Sequence, residues 1–233
     1  MSSIAPVVFL FDVDNTLLDN DRVFADLRQH LTLAFGAQRQ ERYWTIFESL
    51  RDELGYADYL GALQRYRMEN PHDPHFLQIA LYLLAYPFAD RLYPGALDVI
   101  RHLAAWGPTV ILSDGDVVFQ PHKIQRSGLY DAMQGRVLIY IHKEQQLSDV
   151  EKHYPARHYV LIDDKLRILN AVKQVWGPRL TTVFPRQGHY AHDAKTLAEF
   201  PPADIAVEHI GDLLRYDLPT LLAATPGGTA AKS

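Results

Sequence analysis

The sequence predicts an α/β protein: a doubly wound parallel sheet with an all-helical domain inserted into it. Three observations carry that prediction. From about residue 95 onward, short apolar runs alternate with stretches of helical period. Such alternation builds a parallel sheet with helices on both faces. Residues 20–90 hold several helical periods and no good strand. Acidic residues follow directly on the apolar runs, at the strand ends where open α/β sheets bind ligands.

The first strand is the run 7–11, Val-Val-Phe-Leu-Phe. Branched and aromatic residues in so short a run suit a strand buried on both faces. Phe24, Leu27, Leu31 and Phe35 then share one helical face, and Gly36 stops that helix. Tyr43, Ile46, Phe47, Leu50 and Leu54 share a second face, and Tyr56, Tyr59, Leu63 and Tyr66 a third. The segment 70–74 is a turn whose Asp73 and Pro74 suit an N-cap and a first helical position. The helix after it, 76–86, is apolar nearly all round, which places it centrally in a small bundle.

Pro94-Gly95 opens a helix that runs to Trp106. Strands follow at 109–112, 136–141, 158–162 and 180–184, with a short one at 204–207. Helices over 117–127 and 165–176 lie between them. Trp-Gly-Pro punctuates two helix ends, at 106–108 and 176–178, where glycine takes the left-handed position and proline blocks continuation. Helices inserted after the first strand read as a cap over the strand ends. The expected division is a Rossmann-like core over 1–18 and 91–222, a helical cap over 19–90, and a small, polar, disordered tail over 223–233.

Composition narrows the function classes. Hydrophobic residues make up 48% of the 233, enough for a sizeable core. The formal net charge of −5 argues against nucleic acid or an anionic membrane as the main partner. The absence of cysteine excludes disulfides, zinc-thiolate sites and thiol nucleophiles. The first residues have no basic region and no long apolar core, so neither a signal peptide nor a membrane span is expected, and the expected compartment is cytoplasmic.

Each strand end carries chemistry. Asp12, Asp14 and Thr16 follow the first strand, and Ser113-Asp114-Gly115 the second. His142-Lys143 follows the third and Asp163-Asp164 the fourth. Two carboxylates ~4 Å apart repel by roughly 4 kcal/mol at an effective dielectric of about 20. A bound cation or a proton relieves that repulsion. The oxygen-rich set suits a hard divalent cation such as magnesium, and a phosphoryl group.

With these residues in place, the sequence resembles the haloacid dehalogenase superfamily, specifically its magnesium-dependent phosphatases with a helical cap. Asp12-Val13-Asp14-Asn15-Thr16-Leu17 resembles the first motif of that family, and Ser113-Asp114-Gly115 the second. Lys143 stands for the third, although Glu144 follows it where the family often has proline. Lys123 is the rival lysine, but its mid-helix position gives it a solvated surface role. Asp163-Asp164 resembles a two-acid form of the fourth motif, with Asp163 in place of the usual glycine.

The resemblance implies a set of roles. Asp12 is the nucleophile that forms an aspartyl-phosphate. Asp14 protonates the leaving group and then activates water. Ser113 and nearby backbone N–H groups hold the phosphoryl oxygens, with Thr16, Asp114 and Gly115 binding substrate. Lys143 neutralises developing charge. Magnesium is held by Asp12, the Asp14 carbonyl and Asp164, with Asp163 an alternative ligand. A dehalogenase has no use for a second acid at position 14, so Asp14 favours phosphate esters. The expected substrate is a small phosphorylated metabolite. A phosphotransferase or mutase with the same residues is the alternative, with a non-catalytic binding protein behind it.

The remaining polar features read as ordinary surface. His189 and His192 lack a third metal ligand at matching spacing. The segment 185–190 follows the fifth strand and is placed to line the rim of the site, although a surface loop is the preferred reading. Arg51, Arg65 and Arg67 read as solvated faces of amphipathic helices, so no recognition residue is assigned in the cap.

Overall fold

The computed structural model describes residues 4–224. Six strands form one sheet, β1 (Ala5–Phe11), β2 (Thr109–Asp114), β3 (Val137–Tyr140), β4 (Ala156–Ile162), β5 (Leu180–Pro185) and β6 (Ile205–Val207). Their order is β3-β2-β1-β4-β5-β6 and every pairing is parallel. This is the doubly wound order, in which chain direction switches sides beside β1. Asp12 and Asp163 leave the adjacent strands β1 and β4, whose last residues Phe11 and Ile162 are register partners. The site therefore forms at the crevice of the topological switch.

Alternate residues of β1 build the two cores. Val7, Phe9 and Phe11 face one layer and Val8 and Leu10 the other. Burial contributes about 1.5–3 kcal/mol for each large side chain. On the first face lie α5 (Ala96–Ala104) and α6 (Phe119–Arg126), through Val99, Leu103, Phe119 and Ile124. On the second lie α8 (Leu147–His153) and α9 (Leu166–Trp176), through Val150, Leu169, Val172 and Trp176. The helix expected over 117–127 ends at Arg126, and a separate short turn, α7 (Leu129–Ala132), follows Gly128. Two further short helices, α10 (Ala194–Glu199) and α11 (Leu218–Ala223), complete the α-helices of the described residues. The expected tail lies outside the described residues from 225 on.

The two Trp-Gly-Pro punctuations work differently. Gly177 caps α9 at a positive φ of +54°, but its ψ of −125° lies outside the expected left-handed helical region. Gly107 has no positive φ. A side chain there would meet the Val7 carbonyl oxygen at 2.2 Å, so glycine is required by close approach to β1.

Between β1 and β2 come four helices, α1 (Asn20–Phe35), α2 (Ala37–Leu54), α3 (Tyr59–Glu69) and α4 (Phe76–Ala85). Asp19 caps α1 by accepting from the Arg22 N–H, and Asp58 caps α3 by accepting from Gly61. α1 buries Val23, Leu27, Leu31 and Phe35, one residue per turn. Tyr43 of α2 donates its hydroxyl to the Tyr59 carbonyl, tying α2 to α3. The two crossings to the sheet run side by side: Asp19 N–H donates to Arg91 O and Tyr93 N–H to Leu17 O. Phe119 of α6 packs against Tyr59 and Phe88, which seats the helices beside the strand ends.

Two expectations fail here. Asp73 does not cap a helix beginning at Pro74, because α4 starts at Phe76. It accepts instead from the His75 N–H and the Tyr66 hydroxyl, pinning the turn to α3. Nor is α4 central. It buries Ile79 and Leu83 alone, while Leu77 and Leu81 are 63% and 57% exposed. Its all-round apolar composition does not specify which face is covered. We therefore expect Leu81→Lys to change stability by no more than about 0.5 kcal/mol in chemical denaturation.

Candidate active site

The strand ends deliver a buried constellation. Asp12 continues β1, and its N–H donates to the Ile162 carbonyl at 2.9 Å. A tight turn follows, in which Leu17 and Leu18 N–H groups both donate to Val13 O. Asn15 takes the left-handed conformation, φ +60°, which asparagine tolerates well. Its side-chain oxygen accepts from the Asn20 and Asp21 N–H groups and so fixes the start of α1. Gly188 presses on Asn15 from the loop after β5: an added Cβ would lie 2.5 Å from the Asn15 side chain.

Lys143 lies at the centre, 2% exposed. Its ammonium is 2.5 Å from Asp12 Oδ1 and 2.7 Å from Asp163 Oδ2, and it donates to the Leu112 carbonyl. Burial works against its charge, but the surrounding Asp12, Asp163 and Asp114 outweigh it and hold its pKa above the ordinary lysine range. The Asp114 carboxylate accepts from the Lys143 N–H at 2.7 Å, which anchors the loop carrying that lysine. Lys143→Met would leave Asp12 and Asp163 buried without their cation. We expect a loss of about 3 kcal/mol or more in equilibrium unfolding.

The two acids of the fourth strand end are not equivalent. Asp163 holds Lys143 and accepts from the Lys165 N–H at 2.8 Å. Asp164 is 1% exposed, and neither of its oxygens has a hydrogen-bond partner. Asp12 Oδ2 is also without one. Ligand atoms of Asp12, Asp163 and Asp164 lie within 4.8 Å of one another. Burial pushes the Asp163 pKa up to about 6, and the nearby Asp12 adds to the shift against the pull of Lys143. Burial, with Asp163 and Asp12 beside it, also raises Asp164 well above the usual carboxylate range. Asp114 is raised, again chiefly by burial.

This cluster can hold a metal ion. Around it stand the carboxylates of Asp12, Asp14, Asp114, Asp163 and Asp164, and the ammonium groups of Lys123, Lys143 and Lys165. With every carboxylate ionised the surplus is two negative charges, which one divalent cation balances. Orphaned buried carboxylate oxygens with all-oxygen chemistry fit a hard cation.

Other expected residues take different places. Thr16 is fully buried and does not line the cavity; its hydroxyl accepts from the Asp164 N–H at 3.0 Å. The expected substrate contact is thus a prop for Asp164. Ser113 is 1% exposed and receives Gln120 Nε2 on its hydroxyl at 3.0 Å. Gly115 lines the cavity, and a Cβ there would collide with the Gln120 side chain. Asp14 faces the cavity with its side chain 25% exposed. Its partner is Lys123, whose ammonium lies 2.7 Å from Asp14 Oδ1. The surface role expected for Lys123 is wrong: it is 1% exposed. It shares the buried face of α6 with Phe119, Gln120 and Ile124, and that spacing was the signal for its burial.

The cavity in front of these groups has a volume of about 760 Å³, within the usual range for small-molecule sites. Phe24, Phe47, Tyr56 and Tyr59 line it from the helical segment, together with Arg51. Opposite them stand Lys165, Arg167, His189 and Tyr190. The loop over 185–190 is therefore a wall of the cavity, fastened by His189, whose N–H donates to Asp21 Oδ2 at 2.7 Å. Among the described residues, no helix is long and apolar enough to cross a membrane.

A family model described as haloacid dehalogenase-like hydrolase matches residues 7–173, which span every motif above. The chain belongs to that family. A crystal structure from Burkholderia xenovorans LB400, described as a haloacid dehalogenase-like hydrolase, is 67% identical. That match covers 91% of this chain and 99% of the other at a TM-score of 0.88. More distant structures share the fold. The HAD-hydrolase YfnB of Bacillus subtilis, bound to magnesium, is 17% identical over 91% of this chain and 98% of its own, with a TM-score of 0.60. The L-2-haloacid dehalogenase of Xanthobacter autotrophicus is 18% identical with the same coverage and TM-score. No curated protein matches the chain. This haloacid dehalogenase-like hydrolase thus keeps the family's core and carries an all-helical segment between β1 and β2.

Proposed function

We propose that the protein is a magnesium-dependent phosphomonoesterase acting on a small phosphorylated metabolite. The observation that carries this reading is the pair of acids on the first turn, each with its own lysine. Asp12 lies against Lys143 and Asp14 against Lys123. Displacement of a halide needs no proton for the leaving group, whereas departure of an alkoxide does. A second cavity-facing acid at position 14 therefore favours phosphate ester chemistry over dehalogenation.

In this reading Asp12 attacks phosphorus while the alkoxide departs, and the phosphoryl group rests on the Asp12 carboxylate. Lys143 stays protonated and offsets charge on the nucleophile and the transferring oxygens. Asp14 delivers a proton to the departing oxygen and takes one from the water that cleaves the aspartyl-phosphate. Asp12 and Asp164 would hold magnesium, with Asp163 kept back to fix Lys143. When bound, the ion supplies Lewis-acid neutralisation of phosphoryl charge. Four aromatic rings of the helical segment, Phe24, Phe47, Tyr56 and Tyr59, line the cavity with Arg51, which supports a capping role for that segment and a leaving group with an apolar body.

The test is phosphate release from a panel of phosphorylated metabolites, with magnesium or with chelator, beside halide release from 2-haloacids. Magnesium-dependent phosphate release without halide release is the expected result. Halide release without phosphate release would overturn the proposal.

A further inference from the structure

We propose that Lys123 is the positioning residue for Asp14, holding its carboxylate toward the cavity as Lys143 holds Asp12. The inference rests on the phosphomonoesterase reading and assigns a residue outside the four motifs. Lys123 is one of the largest side chains fully buried in the protein. A buried ammonium is costly unless it is paired and hydrogen-bonded. Lys123 meets both conditions, with Asp14 Oδ1 at 2.7 Å and Asn20 Oδ1 at 3.1 Å.

The geometry suits positioning better than general support. Asp14 stands on a turn, with its side chain a quarter exposed and free of backbone N–H partners among the hydrogen bonds described. Among the described residues its oxygens are reached by α6 alone: Lys123 takes Oδ1, and Gln120 Nε2 stands at 3.5 Å from Oδ2. Gln120 also donates to Ser113, so one helix face aligns two groups from two strand ends. Asn20 is the first residue of α1, so the same ammonium ties Asp14 to the entry of the helical segment. An acid–base group must lie within hydrogen-bond reach of the proton it moves. A misplacement of ~1 Å can cost about 10²-fold in rate.

The test is a double-mutant cycle in kcat and KM, using the best phosphate ester from the panel and magnesium. Lys123→Met should lower kcat by about 10²-fold with KM unchanged, and Lys123→Arg should recover most of the loss. In an Asp14→Asn background, Lys123→Met should cost no more than about twofold, because its effect runs through that carboxylate. Thermal melts of all variants identify any that fail to fold, and Lys123→Gln then replaces Lys123→Met. Equal losses in both backgrounds, or a rise in KM with kcat unchanged, would overturn the proposal. A wild type that releases no phosphate would instead defeat the phosphomonoesterase reading, and this inference with it, before any variant is compared.

Discussion

Asp12→Asn should lower phosphate release by about 10⁴-fold or more while leaving the fold intact. The substituted side chain keeps an oxygen for Lys143, and the Asp12 N–H to Ile162 bond is unaffected. Lys143 also keeps its pairing with Asp163. The amide has no anionic oxygen to attack phosphorus, so no covalent intermediate forms. The metal-free variant should be at least as stable as wild type, because one of three crowded carboxylates has lost its charge. Circular dichroism and a thermal melt beside the rate assay check both halves. An inactive variant that also unfolds would make the loss structural and leave the assignment of the nucleophile without support.

Asp164→Asn should stabilise the metal-free protein near neutral pH and abolish stabilisation by magnesium. Asp164 is buried with both oxygens unpartnered, and its pKa is raised by burial and by Asp163 and Asp12. A carboxyl whose folded pKa is raised binds protons that the unfolded chain has released. Its contribution to stability therefore falls as pH climbs from the unfolded value of 3.8 through the folded one. Asp163, pushed up to about 6, acts in the same direction over the window from about 4 to 6. Two histidines oppose them: burial lowers His30 and His158 below 6.5, and stability from these rises with pH. The comparison of wild type with Asp164→Asn at each pH cancels the histidines. The advantage of the variant should widen from pH 4 to pH 7.

In the proposed reading, magnesium should reverse that order in wild type. An ion at ~100 times its Kd adds about 2.7 kcal/mol, and the gain should grow over the same pH window as the carboxylates ionise. Melting curves from pH 4 to 7, with magnesium and with chelator, read both effects. A variant less stable than wild type without metal would contradict the account.

The sheet was legible because each buried strand is a short apolar run and each run ends in acids or turn residues. The one-per-turn stripes of α1, α2 and α3 were legible for the same reason. What failed was the inference about which side is covered in α4 and at Lys123 of α6. Nothing in the composition of α4 marks Ile79 and Leu83 as its buried pair. Charge was the misleading signal at Lys123, where helical spacing already placed it with Phe119 and Ile124. The site carboxylates could be read because several acids at strand ends are costly without a function. The hydroxyl of Thr16 could not, since an oxygen that props Asp164 and one that meets a ligand look alike in sequence. For the loop after β5 the surface reading was preferred to the rim reading because its partners, Asn15 and Asp21, lie far away in the chain.

The most direct test of the central claim is the covalent intermediate itself. During turnover of the best phosphate ester with magnesium, an acid quench followed by peptide mass analysis should find one phosphoryl group on Asp12. It should be absent with chelator and in Asp12→Asn. Sustained phosphate release with Asp12 unmodified, and equal release by Asp12→Asn, would contradict the account.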